Sequence, residues 1–460
     1  MLTQLTDSKT GVIVVDDKER SGTSQDTSRP TSGTASTCTC RGLWFSLQQG
    51  LPLPAHRAPL SWAIHCSGPR CHLETADLRP KINISSSTHK HTYTHQTTTT
   101  SRAPLLSNLI RMPNTIVDFT KLFSNLSYDR LVDIKDQWFP PQPAFTEADV
   151  PRQDGRVFIV TGGNSGIGLA LVKLLYPTGA KIYLACRSEE RARAAIKEVV
   201  DQAATTTTTS SQPGSLEYMH LDLDDLTTIK ASAASFAQRE SRLDILWNNA
   251  GIAGAPAGTK TKQGLEGHIG INCVGPLLFT QELLPQLREA TKSSVPGATR
   301  IIWASSMIIE RFAPQGGLDL AELDRMNTAG TGSENASVDY AVSKAGNWFL
   351  AVDGARRWGS EGIVSVTQNP GMINTTVWKH QPNWLLAVMQ PSFYPAVMGA
   401  YTMLFSGFSN EVGLGTNGVY ILPFGRLQKK NVRDDILEAI ENGKAKEFWD
   451  WCEHLHSQYC

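Results

Sequence analysis

Tyr340 and Lys344, in the stretch Tyr340-Ala341-Val342-Ser343-Lys344, put a phenol and an ammonium four residues apart. In a helix that spacing brings both onto one face. A phenol loses its proton near pH ~10, and a cation held beside it stabilises the phenolate. Such a tyrosine gives a proton to a reacting oxygen or takes one from it. The same spacing also fits a solvated helix face, so its meaning depends on the rest of the chain.

The turn Thr161-Gly162-Gly163-Asn164-Ser165-Gly166-Ile167-Gly168 follows an apolar strand-like run and opens a helical one. Its glycines let backbone approach a pyrophosphate, and a helix N-terminus offers free N–H groups with a favourable dipole. The adenine-ribose end of a dinucleotide is read about 20 residues later, where an acid accepts from the 2′-OH or an arginine accommodates a 2′-phosphate. Here the second strand runs into Arg187-Ser188, which favours NADP over NAD. The alternative is that Arg187 pairs with Glu189 or Glu190, or that those acids serve NAD. Asp222, ending the third strand, caps the following helix or accepts from the adenine amino group.

These residues need a frame. Strand-like runs at 157–161, 181–186, 216–221, 243–248, 300–305 and 363–368 alternate with helix-length segments beginning near Gly166, Glu189, Asp224, Gly264 and Val338. Alternation of this kind predicts right-handed βαβ units and an α/β fold, a Rossmann-type doubly wound parallel sheet covered on both faces. The Thr-rich stretch 205–214 reads as a surface loop. The domain occupies 154–460.

Residues 1–111 are rich in Ser and Thr, lack sustained apolar periodicity, and cannot bury enough surface to offset their ordering entropy. A disordered extension is expected, or a gene-model artefact if Met112 is the true start. Nine Lys/Arg against two Asp/Glu from 27 to 111 faintly resemble a transit peptide, but the first 26 residues carry five acids against three bases and no apolar signal core. Residues 112–153 form a leader. Ile116, Phe119, Leu122, Phe123 and Leu126 fall at helical spacing, predicting an amphipathic helix that packs on the domain or docks on a membrane surface or partner. The proline-rich segment from Trp138 to Pro143 is extended, since proline blocks helix at and before itself.

Basic and acidic residues balance at 43 each, so no overall field points to nucleic acid or an anionic membrane, and a small-molecule function is favoured. The eight cysteines lack the pairing of a zinc site or disulfide framework; Cys66-x4-Cys71-His72 has no second pair at ligand distance. No metal is expected, and a reducing, cytoplasmic setting is.

With these motifs in place the chain resembles the short-chain dehydrogenase/reductase family. The glycine turn matches that family's cofactor motif, Asn248-Asn249-Ala250-Gly251 its motif after the fourth strand, and Asn272 its helix asparagine. Ser305-Ser306 closes the fifth strand as the family's serine does, Tyr340 and Lys344 match its Tyr-x-x-x-Lys pair, and Asn369-Pro370-Gly371 with Thr375 matches the turn after the sixth strand. The resemblance implies that Tyr340 is the general acid in reduction and base in oxidation. Lys344 would lower its pKa and hold the nicotinamide ribose, Ser306, as the later of its pair, would bond the substrate oxygen, and Asn272 would position a water leading protons to Lys344. It implies cofactor contacts from Gly162, Asn164, Ser165, Gly166, Ile167, Gly168, Arg187, Asp222, Asn249, Ala250, Gly251, Tyr340, Lys344, Pro370, Gly371, Ile373 and Thr375. The run Leu184-Ala185-Cys186-Arg187-Ser188 looks most like the NADP-using, retinol-dehydrogenase-like branch.

Ser306 and Tyr340 lie 34 positions apart, a longer link than most family members have. The insert, 307–336, carries Phe312, Leu318, Leu320 and Leu323 and reads as one wall of a substrate pocket, or else as a surface loop. From 382 to 410 no residue is charged. Pro391 and Pro395 interrupt that stretch, so 376–410 reads as an apolar lid followed by a packed helix, with membrane contact at most peripheral. The tail from Asn431 reads as one charged amphipathic helix that packs on the domain or forms a dimer contact in a homo-oligomer. The expected activity is hydride transfer between nicotinamide and a lipophilic carbonyl compound or alcohol. A non-catalytic NADP-binding regulator is the alternative, and an epimerase or dehydratase using the same cofactor site a third.

Overall fold

The computed structural model describes residues 134–206, 212–256, 258–329, 335–374, 390–428 and 433–460, with a short antiparallel ladder that pairs Ile64–Cys66 with Cys71–Leu73. That ladder falls inside the stretch expected to be disordered and belongs to a separate compact unit, 1–105. The leader-helix positions Ile116 to Leu126 lie outside the described residues.

The larger unit is built on a sheet whose first strand, β1 (Val157–Thr161), is buried along its whole length. Such a continuous apolar run suits a parallel strand covered on both faces. In chain order follow α1 (Gly166–Leu175), β2 (Lys181–Cys186), α2 (Glu189–Thr206), β3 (Ser215–His220), α3 (Leu226–Ala237) and β4 (Ile245–Asn248). Helix α4 joins Gly267–Ile269, a π-helical turn Gly270–Val274, and Gly275–Glu282; α5 is Leu284–Thr291. Then come β5 (Thr299–Ala304), α6 (Ile308–Phe312), α7 (Leu320–Ala329), α8 (Ala336–Trp358), β6 (Ile363–Gln368), α9 (Ala396–Phe408), β7 (Tyr420–Leu422), β8 (Arg426–Leu427), α10 (Asp434–Glu441) and α11 (Lys444–His456).

The strands lie in the order β3-β2-β1-β4-β5-β6-β7-β8, parallel up to β7, with β8 antiparallel at the edge. The chain reverses its winding between β1 and β4, and a crevice opens at such a switch point beyond the carboxyl ends of the strands. Alternate side chains of β1 serve the two layers. Val157 and Ile159 pack with α3, α4, α8 and α11, while Phe158 and Val160 pack with α1, α2 and α9. The Rossmann-type expectation therefore holds.

Three expectations needed correction. Strands β7 and β8 were not anticipated, because three and two residues are too short to show a period. The tail is two helices, α10 and α11, split where Gly443 adopts φ 93°. Only glycine accepts that conformation readily. Phe448, Trp449 and Cys452 of α11 are fully buried, and a Cβ on Gly346 would come within 2.7 Å of the Phe448 ring, so the tail lies directly on α8. Third, Asp225, not Asp222, caps α3, accepting from the Thr227 N–H.

The second half of the uncharged stretch is helix α9, with Met403, Leu404 and Phe405 in the core; most of the lid ahead of it, 375–389, lies outside the described residues. Among the described residues no helix is long and apolar enough to cross a membrane. The insert is more ordered than a loop. Leu318, Leu323 and Met326 join the core, and the Arg433 guanidinium ties the backbone carbonyls of Ile309, Ala313 and Pro314 to the start of α10.

Candidate active site

The carboxyl end of β1 is stitched to the carboxyl end of β4 across the switch point. The Thr161 hydroxyl oxygen accepts from the N–H groups of Asn249 (2.9 Å) and Ala250 (2.8 Å), and Asn249 Nδ2 donates to the Thr161 carbonyl. Around this seam the glycine turn curls with Gly162 at φ 67° and Gly166 at φ 55°. A Cβ on Gly168 would sit 2.6 Å from the Gly162 carbonyl oxygen and 2.8 Å from Asn249 Nδ2, so the turn closes only because that position is bare. Ser165 and Gly166 are exposed at the N-terminus of α1, Asn164 is half-buried, and the Ser165 side chain makes no capping hydrogen bond. Bare backbone at the uncapped start of α1 fits a dinucleotide's pyrophosphate.

Arg187 is exposed just beyond β2. It faces Asp224, whose carboxyl is pushed up by burial and by Asp222 and drawn down by Lys262 and Arg187. Asp222 accepts from the Asp224 N–H at 3.2 Å and lies 3.6 Å from Lys262 Nζ. Arg187, Asp222, Asp224 and Lys262 thus lie near one another beyond β2 and β3.

On the other side of the crevice, α8 places Tyr340 and Lys344 one turn apart. Asn335 caps this helix, accepting from the Ser337 N–H at 3.0 Å. Lys344 Nζ donates to the Ala304 carbonyl at 2.8 Å and lies 5.5 Å from the centre of the Tyr340 ring. The Ser305 hydroxyl donates to the Lys344 carbonyl at 2.9 Å and is buried, whereas Ser306 is half-buried, near the Tyr340 phenol, and its Oγ accepts from the Ile308 N–H at 3.3 Å. Of the adjacent serines, Ser305 braces the helix and Ser306 is the one left nearer the tyrosine.

Burial pushes the Tyr340 phenol up to about 12, against a smaller downward influence of nearby Ser306. Burial likewise brings Lys344 down to about 8, with a small opposing pull from Cys273. The Lys344 ammonium lies over the Tyr340 ring.

Asn272 sits in the π-helical turn of α4. Its Oδ1 accepts from the Ile252 N–H at 2.8 Å, and its Nδ2 donates to the Ile252 carbonyl and to Ser343 Oγ, both at 3.0 Å. A Cβ on Gly251 would stand 2.8 Å from Asn272 Oδ1 and 3.6 Å from Lys344 Nζ, so Gly251 is the narrow point between them. π-turns of this kind concentrate at functional sites because they re-aim one side chain.

Pro370 and Gly371 form the turn after β6, with Gly371 at φ 91° and its N–H bonded to Asn369 Oδ1. Ile373 and Ile167 meet across Gly399 of α9, so both cofactor-side segments rest on one helix. Thr375 lies outside the described residues. Two features carried no sequence signal. Gln137, only 2% exposed, accepts from Asn369 Nδ2 at 2.8 Å and donates to Glu310 at 3.3 Å, tying the leader to this turn. Glu266, His268 and Asp339 bring their ligating atoms within 4.8 Å of one another beside Tyr340. Neither group shows any spacing along the chain that would mark it.

The family described as short chain dehydrogenase matches residues 156–314. The chain is 54% identical over 326 residues, 70% of its length and 97% of the relative's, to the short-chain dehydrogenase/reductase iacJ of Pestalotiopsis fici. It is 36% identical to the short-chain dehydrogenase/reductase bet4 of Neocamarosporium betae, over 69% of this chain and 91% of that one. Among solved structures, NADPH-bound carbonyl reductase from chicken fatty liver aligns at 24% identity and TM-score 0.44, covering 60% of this chain and 99% of that one. A likeness that runs through nearly the whole of iacJ, on a sheet that brings the glycine turn and the Tyr340–Lys344 helix to one crevice, leaves no ambiguity: the chain belongs to the short-chain dehydrogenase/reductase family of oxidoreductases.

Proposed function

We propose that the protein is an NADP-dependent reductase of a lipophilic ketone or aldehyde, running the reverse oxidation of the primary or secondary alcohol by the same residues. The observation that carries this reading is Lys344 Nζ 5.5 Å from the Tyr340 ring centre, with the glycine turn and Ser306 both beyond the carboxyl ends of parallel strands of one sheet. When bound, NADPH supplies the hydride. The rest is done by side chains. Ser306 holds the substrate oxygen beside the Tyr340 phenol, and Tyr340 gives its proton to that oxygen as negative charge develops on it. Lys344, as a cation, stabilises the phenolate left behind. Asn272, bonded to the Ile252 backbone, orders the path by which a proton returns toward Lys344 past Gly251.

Half-buried Ile308 and Phe312 on α6, directly after Ser306, support an apolar substrate, as does the uncharged stretch at 382–410. An apolar cover excludes water during hydride transfer. The test is NADPH consumption by the full-length protein against decanal, 2-decanone and acetophenone. Turnover with NADPH supports the reading; tight NADPH binding with no turnover on an extended carbonyl panel counts against it.

Two cofactor predictions arise here. Arg187→Glu raises the KM for NADPH about 10- to 100-fold, from the ~1.5–3 kcal/mol of a charge-assisted hydrogen bond, while the KM for NADH barely moves. Equal effects on the two cofactors would remove the 2′-phosphate role. Gly168→Ala forces the Gly162 carbonyl away and weakens NADPH binding about 10-fold or more, given the ~1–3 kcal/mol typical of overpacking. Titration of nicotinamide fluorescence reads this directly.

A further inference from the structure

Glu266, His268 and Asp339 are 5%, 1% and 3% exposed, and none has a part in the chemistry described so far. Glu266 caps α4, the helix that carries Asn272: one carboxylate oxygen accepts from the Ile269 N–H at 2.8 Å. The other lies 2.9 Å from His268 Nδ1. The remaining ring nitrogen, Nε2, is 3.4 Å from the Ala255 N–H. These partners assign a neutral imidazole that donates from Nδ1 and accepts at Nε2. Both nitrogens are engaged, so the group is a closed hydrogen-bonded cluster and not an open set of metal ligands.

The locked ring has a neighbour. It lies 6.0 Å, centre to centre, from the Tyr340 ring at an angle of 52°, within the range of a favourable aromatic contact. Asp339, next in sequence to Tyr340, brings a carboxylate oxygen within 4.8 Å of the same cluster. The Glu266 backbone N–H also donates to Asn327 Oδ1 at 3.0 Å, so helix α7 of the insert is fastened to the same point.

We propose that His268 is a positioning residue for Tyr340: held by Glu266 and Ala255, its ring buttresses the tyrosine ring and fixes the phenol between Ser306 and Lys344. A phenol has two soft torsions, and a displacement of about 1 Å at the reacting atom costs on the order of 100-fold in rate. Lys344 touches the tyrosine from the far end of the helix turn; His268 supplies the support from α4. This rests on the reading of Tyr340 as the proton donor.

The full-length protein is compared with His268→Ala, His268→Gln and Tyr340→Phe, assaying NADPH oxidation with decanal, 2-decanone and acetophenone and normalising rates to NADPH-binding sites. His268→Ala is expected to lower kcat about 10- to 100-fold, with KM and the NADPH dissociation constant within about twofold of wild type. His268→Gln, a planar amide that donates to Glu266 and accepts from Ala255, recovers most of that loss. With the tyrosines labelled at ¹³Cζ, the Tyr340 signal, assigned by its absence in Tyr340→Phe, splits or broadens in His268→Ala and stays single in His268→Gln; this readout needs no substrate. A His268→Ala kcat within twofold of wild type, an unchanged Tyr340 signal, or a glutamine variant no better than alanine overturns the proposal. If Tyr340→Phe is inactive while His268→Ala is unimpaired, the positioning role alone fails; if Tyr340→Phe turns over normally, the reading of Tyr340 fails with it.

Discussion

Tyr340→Phe lowers kcat by about 1,000-fold while leaving NADPH binding intact, the middle of the range expected for losing a positioned general acid. The substitution removes one oxygen and nothing else. The ring keeps its place 6.0 Å from His268 and under Lys344 Nζ, and the helix keeps its Asn335 cap. What disappears is the phenol proton. Steady-state rates set beside a nicotinamide fluorescence titration separate the two effects. Equal rates in variant and wild type would dismiss the mechanism, and a parallel loss of NADPH binding would point to a damaged fold.

Lys344→Met abolishes turnover and, at pH 7, makes the protein more stable. Burial brings the Lys344 ammonium down from its ordinary 10.5 to about 8, so at pH 7 the folded chain carries a cation in a site that disfavours it. The shift corresponds to roughly 3 kcal/mol, an upper figure for the gain. The sign follows from proton counting. Between about pH 8 and 10.5 the unfolded chain binds the proton that the folded one has released, so wild-type stability climbs as pH rises through that window. The advantage of Lys344→Met should therefore be full below pH 8 and fade as pH rises toward 10.5. Methionine strands no acceptor, because Asn347 Nδ2 also donates to the Ala304 carbonyl at 2.9 Å. Denaturant unfolding of the two proteins at neutral and alkaline pH checks this, and a variant less stable than wild type at pH 7 contradicts it.

Some of this was legible from residue order, and the reason is local. The strands 157–161, 181–186 and 363–368 were read with the boundaries the structure gives, because buried parallel strands are unbroken apolar runs. The glycine turn was legible because its φ values and close approaches admit few other residues. Ser306 was preferred to Ser305 by resemblance; in the fold the Ser305 hydroxyl is spent on the Lys344 carbonyl. Strands β7 and β8 escaped because two or three residues carry no period, and the tail was misread as one helix because Gly443 marks a break only through its φ.

The sequence by itself determined the βαβ order, the glycine turn and the Tyr340–Lys344 spacing on one helix, since each depends on residue type and spacing over a few positions, and resemblance added Asn272 and Ser306 as candidates. Only the tertiary structure decided what surrounds them. Gln137 meets Asn369 across 232 positions, Arg433 reaches Ala313 across 120, and His268 meets the Tyr340 ring from a different helix. Such contacts join elements distant along the chain, where no local preference records them, and they appear only once the sheet has brought α4, α6, α8 and the leader to one edge.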